Sequence, residues 1–111
     1  DCIFCRIAAG EIPSNKLYED DQLLAFYDLD PQAPTHFLVI PKAHIASVAE
    51  ITPQNSAVVA HIYEVIARLA AELGLEQGFR VVTNCGPQGG QTVPHLHFHV
   101  LAGRDMTWPP G

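Results

Sequence analysis

The chain has 111 residues, and its 12 Asp and Glu against 6 Lys and Arg give a formal charge of −6 with histidines neutral. That length predicts a single domain over residues 1–111, and the 48% hydrophobic against 16% charged content excludes an intrinsically disordered chain. The acidic balance argues against a nucleic-acid binder, which needs a basic footprint, but not against a single nucleotide. No apolar run approaches the ~20 residues of a membrane span and no signal-peptide pattern opens the chain, so a cytoplasmic protein with no membrane partner is expected.

In chain order, residues 2–9 place Ile3, Phe4 and Ile7 on one helical face, with Gly10 as the stop. Lys16–Glu19 and Leu23–Asp28 read as strands joined across an acidic turn. Two prolines make Leu29–Thr35 a loop, and His36–Ile40, closed by Pro41, is a third strand. A long helix is predicted from Pro53 to about Leu73, capped by Thr52 and ended by Gly74. Val58, Ile62, Val65, Ile66, Leu69 and Leu73 form its buried stripe, and Glu64, Arg68 and Glu72 a solvated ladder. Phe79–Thr83 and His95–Leu101 are the fourth and fifth strands, separated by a turn-rich loop from Asn84 to Gly90. The tail 102–111, ending Trp108-Pro109-Pro110-Gly111, is extended. The fold class is therefore α+β: a five-stranded, mainly antiparallel sheet with one long and one short N-terminal helix.

His95-Leu96-His97-Phe98-His99-Val100-Leu101 alternates strictly, so in a strand the three histidines share one face and the apolar residues the other. The apolar set needs a core, which the long helix supplies. The histidine set faces solvent, a ligand or a metal. One zinc shared by all three conflicts with geometry, since the outer two lie about 13 Å apart along a strand while Zn–N bonds are about 2.0–2.1 Å. A division of roles follows. A neutral imidazole is nucleophilic near neutral pH and is steered by a partner on its other nitrogen.

The run from Gly90 to Leu101 resembles the signature of the histidine triad superfamily, His-φ-His-φ-His-φ-φ with φ apolar. Phe26–Lys42 is similar to that family's nucleoside-pocket segment, and the Trp-Pro-Pro-Gly tail to its nucleotide-binding (Hint) branch. The resemblance implies that His97 attacks the α-phosphorus of a purine nucleoside monophosphate ester or amide, and that water hydrolyses the nucleotidyl-histidine. It makes His99 and the main-chain N–H groups beside Gly90, Gln91 and Val93 phosphate donors, and sets the Thr92 hydroxyl near the leaving group. The Hint branch usually has Ser where this chain has Thr92. It casts His36 as a buried relay partner, Asp28 as the ribose ligand and Asn84 as a phosphate or leaving-group contact. Ile3, Phe4, Ile7, Ile12, Phe26 and Leu29 would form the base slot. A homodimer is implied, with Trp108 near its interface.

Cys2-x-x-Cys5 reads by itself as half a metal site or a redox pair in a reducing compartment. Animal Hint enzymes lack it. Relatives that have the pair hold structural zinc through positions matching Cys2, Cys5, His44 and His95, a Cys₂His₂ set suited to tetrahedral zinc. No cofactor would then be needed for the chemistry itself. The competing functions are a dinucleoside polyphosphate hydrolase like the Fhit branch, a nucleotide-binding scaffold or sensor, and a metal-dependent hydrolase with His97 and His99 as ligands.

Overall fold

The computed structural model describes residues 1–111. A short helix α1 (Ile3–Ala8) precedes strands β1 (Lys16–Glu19), β2 (Leu23–Tyr27) and β3 (Thr35–Pro41). Helix α2 (Ala57–Glu72), β4 (Phe79–Val82) and β5 (Phe98–Ala102) follow. The strands form one five-stranded sheet in the order β1-β2-β3-β5-β4, and every neighbouring pair is antiparallel. The α+β class and element order match the expectation from sequence.

The sheet separates two apolar clusters. On one face Leu23, Ala25, Phe37, Val39, Leu96, Phe98 and Val100 pack against Ile62, Val65, Ile66 and Leu69 of α2. On the other, Leu24, Phe26, Leu38 and Ile40 pack against Phe4 and Ile7 of α1. The period-two alternation of β2 and β3 feeds both clusters, which explains why these strands are apolar almost throughout. The apolar partners of the histidine run thus face α2, and the histidines face α1.

Two boundaries differ from expectation by three residues or more. Helix α2 starts at Ala57 rather than Pro53 because Thr52 closes a separate turn: its hydroxyl accepts from the Gln54 N–H at 3.2 Å, while its own N–H donates to Asn55 Oδ1 at 2.7 Å. The helix ends as expected, with Gly74 at φ +73° and the Leu75 N–H donating to the Ala70 carbonyl at 2.9 Å. Of the solvated ladder only Arg68–Glu72 forms, at 3.3 Å. The fifth strand begins at Phe98, not His95, and a 3-10 turn at Val48–Glu50 had no sequence signal. Residues 95–97 leave the ladder because their polar groups bond elsewhere. The His95 N–H donates to Val93 O at 2.8 Å and the Leu96 N–H to Ile45 O at 2.6 Å.

The β1–β2 turn is tied to α2 through Asp20. Its carboxylate accepts from the Gln22 and Leu23 N–H groups and the Tyr18 hydroxyl, each at 2.8 Å, and from His61 Nε2 at 2.6 Å. Burial opposes its ionisation, but the bonds from His61, Gln22, Tyr18 and Leu23 prevail and hold the carboxyl well below the usual range. The Asp20 bond raises His61 above its ordinary value. The lowered carboxyl stabilises the fold above about pH 3.9 and loses that contribution as pH falls; the raised imidazole stabilises it below about pH 6.5 and loses it as pH rises. Asp20→Ala is therefore expected to cost about 2–3 kcal/mol in urea denaturation. The difference from wild type should be largest between about pH 4 and 6.5.

Candidate functional site

A cleft of about 280 Å³ opens on the α1 side of the sheet, at the base of β5. Ile3, Phe4, Ile7, Phe26, Leu29 and Leu38 form its apolar wall, and Asp28, Thr92, Val93, His97 and His99 line the rest. Helix α1 is placed there by its own chemistry. The Cys2 sulfur accepts from the Cys5 N–H at 3.3 Å as its cap, and Phe4 packs edge-on against His97 with ring centroids 5.1 Å apart.

His97 is oriented by the main chain. Its Nδ1 donates to the His95 carbonyl at 2.7 Å, so the neutral ring keeps its lone pair on Nε2, which bonds to no protein group. The His97 carbonyl is held in turn by the Thr83 hydroxyl at 2.9 Å. The ring is 5% exposed, so its free nitrogen meets the cleft and little bulk water.

His99 is set by a second chain of bonds. The Gln32 N–H donates to His36 Nδ1 at 3.0 Å, so His36 carries its proton on Nε2 and donates to His99 Nδ1 at 2.9 Å. His99 then holds its proton on Nε2, on the cleft side. Burial, followed by the rings of His97 and His36, pushes His99 down to about 4, with Asp28 opposing. Burial lowers His36 as well, against Asp28 and Asp30. Both rings are thus neutral at pH 7, as the bond pattern requires. Asp28, His36 and His99 lie close enough to form a metal cluster. In this tautomer, however, His36 Nε2 has no lone pair to give, and neither has the cleft-side nitrogen of His99. The group is a hydrogen-bonded relay, which counts against His99 as a metal ligand.

His95 points away from the cleft. Its Nε2 donates to the Pro41 carbonyl at 2.8 Å, leaving Nδ1 at 3.2 Å from the Cys2 sulfur and 3.5 Å from that of Cys5. His44 Nδ1 lies 3.2 Å from the Cys5 sulfur, and all four donor atoms are within 4.8 Å of one another. Tetrahedral zinc with these ligands requires donor separations of about 3.3–3.8 Å. Two sulfurs, two ring nitrogens and an outer bond that fixes the His95 tautomer therefore fit a zinc ion. Burial and the neighbouring Cys2 raise the Cys5 thiol, a strain that a dication would relieve.

The remaining sequence candidates lie outside the cleft. Ile12 packs beneath it against the α1 cluster. Gln91 braces its loop: its side chain accepts from Gly86 N–H at 3.0 Å and donates to the Ala46 and Val93 carbonyls at 2.8 and 3.0 Å, while the main-chain N–H groups of Gly90 and Gln91, expected on phosphate, donate to the Pro87 and Gly86 carbonyls, each at 3.1 Å. Gly90 is exposed at φ +80°, and Asn84 is half-buried outside the cleft lining. His36, 4% exposed, does not line the cleft and meets it only through its bond to His99. Leu38 was missed, although its alternation with His36 and its pairing with His99 put it on the same face.

The HIT domain family model matches residues 9–106, and the chain belongs to that family. It is similar to a HIT family hydrolase of Legionella pneumophila, at 50% identity and a TM-score of 0.98 with each chain wholly covered. It also resembles a histidine triad nucleotide-binding protein of Candida albicans, at 35% identity and a TM-score of 0.84 over 98% of this chain and 83% of that one. A 14 kDa zinc-binding protein of Zea mays is 46% identical over 98% of this chain and 87% of its own length.

Titration of the histidine ring signals by NMR tests the relay. His99 is expected to titrate near 4, far below the ordinary value of about 6.5. Asp28→Asn, which removes the one charge favouring protonation, should lower it further. A midpoint near 6.5 would contradict the buried relay.

Proposed function

We propose that the protein is a nucleotide-binding hydrolase of the Hint type that cleaves purine nucleoside phosphoramidates through a covalent bond between phosphorus and His97. The observation that carries this reading is the pair of opposed tautomers at the cleft: a lone pair on His97 Nε2 beside a proton on His99 Nε2. A neutral nucleophile meets no charge repulsion at a phosphate monoanion, and the adjacent donor meets the charge that builds on the phosphoryl oxygens. The hydrolase and nucleotide-binding names of its structural relatives agree with it.

In the first step His97 Nε2 forms a bond to the α-phosphorus as the phosphorus–nitrogen bond to the amine breaks. The amine departs with an added proton, passed from solvent through the exposed Thr92 hydroxyl at the cleft rim. In the second, water attacks phosphorus as the bond to His97 breaks; the attacking water gives up one proton to solvent, the monophosphate leaves, and the ring is restored to its neutral form. His99 donates to a phosphoryl oxygen in both steps. Asp28, with its Oδ1 already accepting the Asp30 N–H at 2.8 Å, is directed at the ribose hydroxyls, and the apolar wall takes the base.

Comparing an adenosine phosphoramidate with a diadenosine polyphosphate tests the substrate class. We expect the amidate to be turned over at least tenfold faster, and His97→Ala to lose about three orders of magnitude or more on either substrate. Preference for the polyphosphate would favour the Fhit-like alternative. Nucleotide binding without turnover would favour a scaffold or sensor.

Zinc held by Cys2, Cys5, His44 and His95 would supply structural cross-linking of α1 to the catalytic segment and take no part in the reaction. One zinc per chain is expected by elemental analysis. Cys5→Ser should abolish it and lower the melting temperature, whereas a metal content of zero with an unchanged melting temperature would rule the site out. A homodimer fits the surface. Trp108 is 82% exposed in the tail and Phe79 41% exposed on edge strand β4, apolar area that a second copy would cover.

A further inference from the structure

The relay that protonates His99 does not end at a side chain. It ends at the main-chain N–H of Gln32, in the loop between β2 and β3, which no ladder bond holds. Gln32 is held on its other side, through the following peptide unit, and by its own side chain, whose Nε2 donates to the Asp30 carbonyl at 2.9 Å. The Gln32 carbonyl accepts from Arg104 Nε at 3.0 Å, and Arg104 Nη1 also donates to the Asp105 carbonyl at 3.2 Å. Gly103, at φ +96°, lies so close to the loop that an added Cβ would come within 2.8 Å of Pro34. Both contacts sit where β5 leaves the sheet beside the start of β3, with Thr35 paired to Ala102.

We propose that the Gly103–Arg104 turn is a positioning clamp for the reaction: by holding the Gln32 carbonyl and the adjacent Pro34 it fixes the backbone torsions at Gln32, so that the N–H of the preceding peptide selects the His36 tautomer and thereby makes His99 a donor to substrate. The inference rests on the hydrolase reading above and adds two residues that touch neither substrate nor the reacting atoms. If the Gln32 N–H turns away, His36 can place its proton on Nδ1, with the Asp28 carboxylate, 3.4 Å from Nε2, left as the remaining contact that favours the original tautomer. Its Nε2 then competes for a proton from His99 Nδ1, and the cleft-side nitrogen of His99 loses its own. The nucleophile is untouched by this change, because the His95 carbonyl sets it separately. The defect should therefore fall on the chemical step and spare binding.

The test uses protein labelled with ¹⁵N-histidine, read without substrate by long-range nitrogen–proton NMR, alongside kinetics on an adenosine phosphoramidate. Wild type should show His36 and His99 both protonated at Nε2. In Arg104→Ala the His36 ratio should shift about fivefold toward the Nδ1 form, and kcat should fall by a similar factor with KM unchanged, as loss of one hydrogen bond supports. Arg104→Lys keeps a donor and should recover most of both. Gly103→Ala displaces Pro34 instead and should move the same nitrogens in the same direction. Wild-type nitrogen shifts in both Arg104→Ala and Gly103→Ala would overturn the clamp, as would a fall in kcat without a tautomer change. The NMR readout needs no turnover, so an inactive wild type with the expected tautomers would contradict the hydrolase reading alone.

Discussion

The His95 carbonyl decides which nitrogen of His97 is available to react, and most of the surrounding structure serves to keep that carbonyl still. His95 spends every polar atom on this. Its N–H turns back to Val93, one ring nitrogen donates to Pro41, and the other faces the two cysteines. A residue fixed at so many points cannot rotate its carbonyl without breaking bonds in a buried setting, where each unsatisfied group costs about 1–3 kcal/mol. The histidines of the motif accordingly divide the work: His95 is a fixed support, His97 has the free lone pair, and His99 has the free proton.

The same arrangement explains the short first helix. Six residues make a helix that is unstable by itself. Here it is held by burial of Phe4 and Ile7 and by the approach of Cys2 and Cys5 to His44 and His95. In return Phe4 closes the cleft against His97. The apolar wall and His97 are thus parts of one packed unit on the α1 face, while α2 stabilises the sheet from behind.

Much of this was legible in the sequence, for a physical reason: side-chain alternation reports faces. It placed Leu96, Phe98 and Val100 in the core and the histidines opposite, even though residues 95–97 are not strand. Alternation reports nothing about where main-chain bonds go, so the start of β5 was set too early. The same blindness hid Pro41, His95 and Gln32 as determinants of the tautomers, because each acts through a carbonyl or an N–H. Thr52 shows the converse limit, since the residue that caps a helix also closes an isolated turn. Family resemblance brought forward the main-chain N–H groups beside Gly90 and Gln91, which here donate to loop carbonyls, and Asn84, which lies outside the cleft lining.

The central claim is that the unprotonated nitrogen of His97 becomes bonded to phosphorus during turnover. Mass spectrometry of protein mixed with an adenosine phosphoramidate and quenched in mild alkali, which preserves a phosphorus–nitrogen bond, addresses it directly. The account predicts an adenylyl increment on the peptide containing His97, appearing within one turnover and lost as substrate is exhausted. An increment on another residue, or steady hydrolysis with no adduct on any histidine, would contradict it.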